Sequence, residues 1–237
     1  MADATPAPGI DLEARYNAML EEVRGNTAVT VLELQNELLS ESGRDATGML
    51  EKLRSLLKVE VDPAFERCFF PFKRVALQWR VADPEGDEGG EMSVPNLYSA
   101  VRKSLTLATP AMSQADQDLL RRFRLIDDQP SSGMGRLAAV RVESGKLTPG
   151  VWFVDVKRAT LPLDVDYCGY LEALLDTKGY YGWQYLFADI NLSAPENRNL
   201  RADLARMLEL LPKLFPGHDY TPLTTRFEER SRARGKK

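Results

Sequence analysis

The spacing of apolar residues changes near residue 59, and this change restricts the fold more than any single motif does. Before that point apolar residues recur every three or four positions, the pattern of helices with one buried face. Beyond it come runs rich in β-branched and aromatic residues, the clearest from Val75 to Val81. Helical spacing returns in residues 163–176 and 196–211. Helices at both ends with strands between them predict an α+β fold, in which helices pack against a mixed, mainly antiparallel sheet.

Three helices are predicted in the first 58 residues. Thr27 and Asp45 are suited to cap the second and the third. The predicted buried positions are, in chain order, Leu12, Tyr16, Met19, Leu20 and Val23, then Val31, Leu34 and Leu38, then Met49, Leu50, Leu53, Leu56 and Leu57. The chain therefore divides into a helical N-terminal region (1–58), an α+β domain (59–225) and a basic flexible tail (226–237).

Within the α+β domain the extended pieces are predicted at 75–81, 91–94, 137–142 and 151–156. The last two are joined by residues 143–150, a hairpin-like connection. Short helices are expected to open at Pro95 and at Ser113.

The charge balance argues against two classes of partner. The chain carries 31 basic and 35 acidic residues, a formal net charge of −4, and a nucleic-acid binder needs a basic face to neutralise phosphates. No stretch approaches ~18 uninterrupted apolar residues, so no membrane partner is expected either. The first nine residues hold no basic residue and no apolar run, which is unlike a secretory signal and favours a cytoplasmic location.

The chain has too few cysteine and histidine residues for a typical zinc site. Cys68 and Cys168 lie among apolar and aromatic neighbours, and in a reducing compartment they are expected to be buried free thiols. A disulfide and a reactive thiol are the alternatives. Since His218 is the single histidine, a zinc cage of the usual kind cannot be assembled. We expect no metal and no cofactor.

No catalytic residues are predicted, because no recognisable nucleophile, phosphate-binding or metalloprotease motif is present. The alternative is an enzyme with a carboxylate site around Asp155, Asp164 and Asp166, whose last two members form a D-x-D motif. Clustered carboxylates are the ligands that hard divalent cations prefer.

Aromatic residues are concentrated in residues 152–187, which hold nine of the chain's twenty. They form either a corner of the core, with hydrogen-bonded tyrosine hydroxyls, or a patch that binds a partner. If the patch is exposed, the expected contacts are Tyr180, Tyr181, Trp183 and Tyr185, with Asp87, Glu88 and Glu91 as charges that steer the partner.

Five segments together resemble the SUKH superfamily over roughly residues 60–192. In order, they are Leu77-Gln78-Trp79-Arg80, the acidic glycine-rich turn after it, Gly90-Glu91-Met92-Ser93-Val94, the stretch from Leu163 to Leu171, and the stretch from Lys178 to Phe187. The yeast founder of this superfamily regulates cell-wall glucan synthesis. Many bacterial members are cytoplasmic immunity proteins, which neutralise toxins delivered by neighbouring cells.

The resemblance implies an α+β fold without known catalysis, in which a sheet face and its adjoining loops form a platform for a partner. The expected function is a non-enzymatic protein-binding module, an immunity protein that binds and neutralises a bacterial toxin domain. One alternative is a housekeeping regulatory or scaffolding adaptor with the N-terminal helices as a docking arm. The other is the carboxylate-site enzyme.

Overall fold

Two β-sheets that meet side by side form the centre of the molecule, and helices pack against them. The computed structural model describes residues 11–82, 87–102 and 113–232. The strands are β1 (Val29–Leu38), β2 (Glu60–Val61), β3 (Phe72–Val81), β4 (Gly89–Pro95), β5 (Phe123–Asp128), β6 (Arg136–Glu143), β7 (Lys146–Asp155) and β8 (Ala159–Asp166). The α-helices are α1 (Leu12–Gly25), α2 (Ala46–Leu57), α3 (Leu97–Arg102), α4 (Gln114–Arg121), α5 (Tyr167–Thr177), α6 (Arg198–Leu214) and α7 (Thr221–Ser231). Short 3-10 segments lie at Glu41–Gly43, Pro63–Cys68, Trp183–Leu186 and Pro195–Asn197. The prediction of an α+β fold is confirmed.

The first sheet is antiparallel, with strand order β1-β3-β4. Its strand β1 corrects the sequence analysis, which predicted a helix through Val31, Leu34 and Leu38. The apolar residues do fall at helical intervals, but the segment opens with Val29-Thr30-Val31, and such β-branched residues favour strands. Pairing with β3 supplies backbone hydrogen bonds along one edge of β1, and the sheet is therefore continuous across the predicted boundary at residue 59.

The second sheet has the order β2-β7-β6-β5, with β8 also paired to β7. Strands β6 and β7 form the predicted hairpin, but the connection is much tighter than residues 143–150. Ser144 and Gly145 alone make the turn, both with positive φ (48° and 77°), as a two-residue hairpin turn of this twist requires. The pairing of Glu143 with Lys146 closes it.

The two sheets meet where β4 runs beside β5, and the side chain of Asp127 spans this seam. The backbone N–H of Ser93 on β4 donates to Asp127 Oδ1 at 2.8 Å, and the hydroxyl of Tyr170 on α5 donates to Oδ2 at 2.7 Å. Asp127 is only 2% exposed. One buried carboxyl group thus joins both sheets and the helix that covers them.

Helix α1 packs into the same core as the sheets. Its buried residues are the five that the sequence predicts, from Leu12 to Val23. The hydroxyl of Tyr16 donates to the carbonyl of Leu171 on α5 at 2.9 Å, which fixes the two helices together. In α2, Asp45 caps the helix as expected, but Leu56 is 44% exposed and does not belong to the core.

Two predicted boundaries are wrong, the start of the helix near residue 163 and the start of the flexible tail at residue 226. Residues 163–166 belong to β8, and α5 begins at Tyr167 because the Asp166 side chain accepts the N–H of Gly169 at 2.9 Å and caps the helix there. The tail was predicted to be flexible from residue 226, but α7 continues to Ser231. Arg226 and Arg230 of that helix both bind Asp164; residues 233–237 lie outside the described part of the chain.

The structure corrects the prediction that the cysteines are free thiols. Cys68 and Cys168 form a disulfide, with 5.4 Å between their Cα atoms, and it ties the 3-10 segment Pro63–Cys68 to the first turn of α5. Both residues are buried, as expected. Among the described helices, none is long and apolar enough to cross a membrane.

We predict that reducing this disulfide lowers the free energy of unfolding by roughly 4 kcal/mol, because the bond closes a loop of 100 residues in the unfolded chain. Urea unfolding with and without reductant measures the change. The double variant Cys68→Ala, Cys168→Ala should match the reduced protein and no longer respond to reductant. Equal stability of the wild type under both conditions, with both thiols free to alkylation, would contradict the cross-link.

We also predict that Asp127 makes the fold less stable as the pH rises from about 4 to 7. Burial raises the pKa of Asp127 from 3.8 to about 7, so in this window the folded protein holds a proton that the unfolded chain has released. The corresponding loss is roughly 4 kcal/mol. Urea unfolding over this pH range should show a decline that Asp127→Asn largely removes. An identical pH dependence in the variant would show that other groups are responsible.

Candidate functional site

The predicted aromatic segment lies where the C-terminal end of α5 meets β4. Tyr180 forms a β-bridge with Gly90, and the N–H of Tyr181 donates to the carbonyl of Gly89 at 3.1 Å. The indole N–H of Trp79 donates to the carbonyl of Lys178 at 2.8 Å. A Cβ atom at Gly90 would lie 2.6 Å from that indole nitrogen, so only glycine permits this approach. The structure thus brings together two predicted segments, the acidic turn and the aromatic block.

Most of the predicted aromatic contacts are buried at this junction. Trp183 and Tyr185 are 0% exposed and Tyr180 is 3% exposed, whereas Tyr181 is half-buried. The Tyr185 hydroxyl donates to Asp155 Oδ2 at 2.7 Å, and the Tyr180 hydroxyl donates to Glu88. Of the two interpretations that the sequence allows, the segment therefore matches the corner of the core with hydrogen-bonded tyrosine hydroxyls. The exposure on which the contact role depends is absent for Trp183, Tyr185 and Tyr180.

The three acidic residues predicted to steer a partner differ in their environment. Asp87 is exposed, as a steering charge requires. Glu88 is half-buried, and Arg206 donates to it at 2.8 Å. Glu91 is 1% exposed, and its carboxylate accepts the backbone N–H groups of Ser131 at 2.6 Å and Ser132 at 2.9 Å. The steering role predicted for Glu91 is thus wrong, because its charge lies inside the protein, where it holds the loop at Ser131 and Ser132. Residues 83–86 of the acidic run lie outside the described chain.

The carboxylates of the enzyme alternative are each engaged in separate structural contacts. Besides Tyr185, Asp155 accepts the N–H of Lys157 at 2.9 Å and pairs with Arg136 at 3.4 Å. Asp164 binds two arginines of α7 at 2.5 and 2.6 Å, whereas Asp166 caps α5. Across residues 11–82, 87–102 and 113–232, no three His, Cys, Asp or Glu side chains are grouped so as to hold a metal ion.

A different surface, which we call the outer face, has the character of a binding site. It is the side of the second sheet that faces away from the main core. Its members on β5, β6 and β7 are Phe123, Leu125, Leu137, Ala139, Arg141, Trp152 and Val154. The register supports this grouping, since Ala139 pairs with both Leu125 and Trp152, and Leu137 pairs with Val154. Residues on the opposite side of the same strands, such as Val140 and Phe153, are in the main core.

Within the described part of the chain, α4 covers the outer face at one end. Helix α4 places Leu119 and Leu120 on the end near Phe123, but Leu125, Leu137 and Trp152 stay half-buried. The Arg141 guanidinium lies 4.5 Å from the centroid of the Trp152 ring, a cation–π contact that holds both side chains in place. Val156, just beyond β7, is 53% exposed. Aromatic and arginine side chains on a half-exposed apolar surface are typical of protein interfaces.

Trp152 belongs to the aromatic segment of the sequence, but it is not among the contacts predicted there. The signal lay in β6 and β7, where Leu137-Ala138-Ala139-Val140 and Val151-Trp152-Phe153-Val154 are apolar on both faces. An antiparallel strand with one solvated face alternates polar and apolar residues. Two strands that do not alternate therefore indicate that the second face is also covered, by this chain or by a partner.

In comparisons with known proteins, no family model, no curated protein and no solved structure matches this chain.

We predict that Glu91→Ala lowers the free energy of unfolding by about 3 kcal/mol, because it removes the charged acceptor of two partly buried N–H groups. Asp87→Ala is the matched control and should change stability by no more than about 0.5 kcal/mol, since Asp87 is exposed. Urea unfolding measures both. Similar values for the two variants would show that the Glu91 contacts do not stabilise the loop.

Proposed function

We propose that this chain is a non-enzymatic protein-binding module that engages its partner through the outer face. The observation that carries the proposal is the half-exposed apolar surface around Trp152, over which the described residues place α4 at one end only. Apolar area in contact with water is unfavourable at about 25 cal/mol per Å², and a partner would remove it from water. The Trp152 and Arg141 pair supplies the side chains that most often dominate binding energy.

We further propose that the partner is a toxin domain and that the chain is an immunity protein of SUKH type. This step rests on the resemblance over residues 60–192, which implies a sheet surface used as a platform. A sheet face that is free to bind, in an α+β fold, is compatible with that expectation.

The adaptor alternative has less support from the contacts of the N-terminal region. A docking arm must be free to leave the domain, but α1 is buried along one face and β1 is paired with β3. Removing residues 1–58 would expose the core face of β3 and unfold the sheet. Any adaptor function would therefore have to use another surface.

An immunity function implies a cytoplasmic location, and the Cys68–Cys168 disulfide is the feature that opposes it. Structural disulfides are rare in reducing compartments. Cys68 is 1% exposed and Cys168 is 9% exposed, so packing shields the bond from soluble thiols. Because soluble thiols do not reach the bond, the disulfide is compatible with a cytoplasmic location of the protein.

We predict that Trp152→Ala weakens binding of the natural partner by about 30-fold, because a buried tryptophan at an interface contributes about 2 kcal/mol. Affinity capture from the native lysate identifies a stoichiometric partner, and calorimetry with the purified pair measures the affinity. Leu32→Ala is the matched control, because Leu32 is 50% exposed but lies on β1, away from the outer face. Thermal unfolding of each variant verifies that the fold is retained.

Comparing wild type with Trp152→Ala also distinguishes an immunity protein from an adaptor. At a concentration between the two dissociation constants, a captured toxin domain should lose its activity at a one-to-one ratio with wild type and keep most of it with Trp152→Ala. Inhibition by both proteins alike would remove the outer face from the mechanism. A non-toxic housekeeping partner would favour the adaptor.

A further inference from the structure

A groove of about 460 Å³ lies between α1 and the C-terminal end of α5, neither of which contributes to the outer face. One wall is a single stripe of α1, from Arg15 through Ala18 and Met19 to Glu22. The other wall is Leu175 and Asp176 of α5, and His218 closes one end. The groove therefore combines an apolar floor with charged groups at its rim.

Most of the charged groups beside the groove are already paired with one another. The buried Lys178 ammonium group donates to the carbonyl of Leu175 at 3.0 Å and lies 3.2 Å from Glu22 Oε2. His218 Nε2 lies 2.8 Å from the same oxygen. On the other side, Arg15 pairs with Glu172 at 3.1 Å. These pairs neutralise Glu22 and Arg15 within the protein.

Asp176 is the exception among these groups. Its carboxylate is half-buried in the groove wall and makes no hydrogen bond or ion pair with the rest of the described chain. Burial raises the pKa of Asp176, whereas Lys178, Arg15 and His218 act on it only from a distance and lower it. A carboxylate that has lost part of its hydration and accepts no hydrogen bond favours the binding of a ligand that carries a hydrogen-bond donor.

We propose that this groove binds an alkylguanidinium group. The planar guanidinium donates two parallel hydrogen bonds to one carboxylate, which suits the single free acid at Asp176. The alkyl stem then lies along Ala18, Met19 and Leu175. An anionic ligand would instead meet the carboxylates of Asp176 and Glu22 in the same groove.

Two sources present this chemistry, a free small guanidine and an arginine side chain of another protein. They differ in what lies beyond the stem, because a side chain brings a backbone that the mouth of the groove must admit. Butylguanidine represents the first source, and a capped Ala-Arg-Ala peptide represents the second.

The test is calorimetry of the full chain with butylguanidine, with butylurea as the neutral ligand of the same shape. We expect butylguanidine to bind at least about tenfold more tightly than butylurea, since hydrogen bonds from a charged donor to a carboxylate are stronger than those from a neutral urea. Equal affinities, or no heat from butylguanidine at tens of millimolar, would overturn the proposal. Because this comparison uses the wild type, it does not depend on the folding of a variant.

Asp176→Asn should reduce the affinity for butylguanidine by about tenfold and that for butylurea by much less, because only the guanidinium loses an opposite charge. Asp203→Asn, which removes an exposed acid on α6 outside the groove, is the control and should bind as the wild type does. An equal loss in both variants would mean that net charge alone attracts the ligand. Binding of the peptide as tight as that of butylguanidine assigns the groove to an arginine side chain, and exclusion of the peptide assigns it to a free guanidine.

Discussion

The relative position of the two sheets depends on the carboxyl group of Asp127. Strands β4 and β5 run side by side but belong to different sheets, so their backbones do not satisfy each other along the seam. Asp127 supplies the missing acceptor for the N–H of Ser93, and its second oxygen accepts the hydroxyl of Tyr170. An apolar side chain at this position would leave both donors buried and unpaired, at a cost of about 1–3 kcal/mol each.

A second buried acid extends the seam on the β4 side. Gln129, just beyond β5, donates to the carbonyl of Glu91 at 3.3 Å, and the Glu91 carboxylate holds the next two backbone N–H groups of the chain. The connection from β5 to β6 is therefore fastened to β4. Because β6 begins just after this loop, the Glu91 carboxylate holds the start of a strand that carries the outer face.

The sequence was sufficient for elements whose local pattern and tertiary partners agree. Helix α1 has the five buried residues that its spacing predicts, and Asp45 caps α2 where a cap was expected. It was not sufficient where a distant partner decides the structure. Strand β1 has helical spacing but pairs with β3, and α7 is held by Asp164, more than sixty residues earlier in the chain. No local pattern reveals such contacts, and for the same reason the acid predicted to face solvent, Glu91, lies inside the protein.

The candidate site illustrates why aromatic density is a poor guide to function in this fold. The densest block, residues 180–187, lies on the side of the sheets that α5 and α6 cover. Most of its rings are packed in the core, and the hydroxyls of Tyr180 and Tyr185 make internal hydrogen bonds. Strands β6 and β7 are apolar on both faces, and a sheet of that kind needs a layer on each side. Helix α5 belongs to one layer, whereas in the described part of the chain the other layer is the eight residues of α4, which cover one end. The half-buried remainder of the second face is centred on Trp152, and its need for a covering layer connects the strand pattern to the proposed binding of a partner.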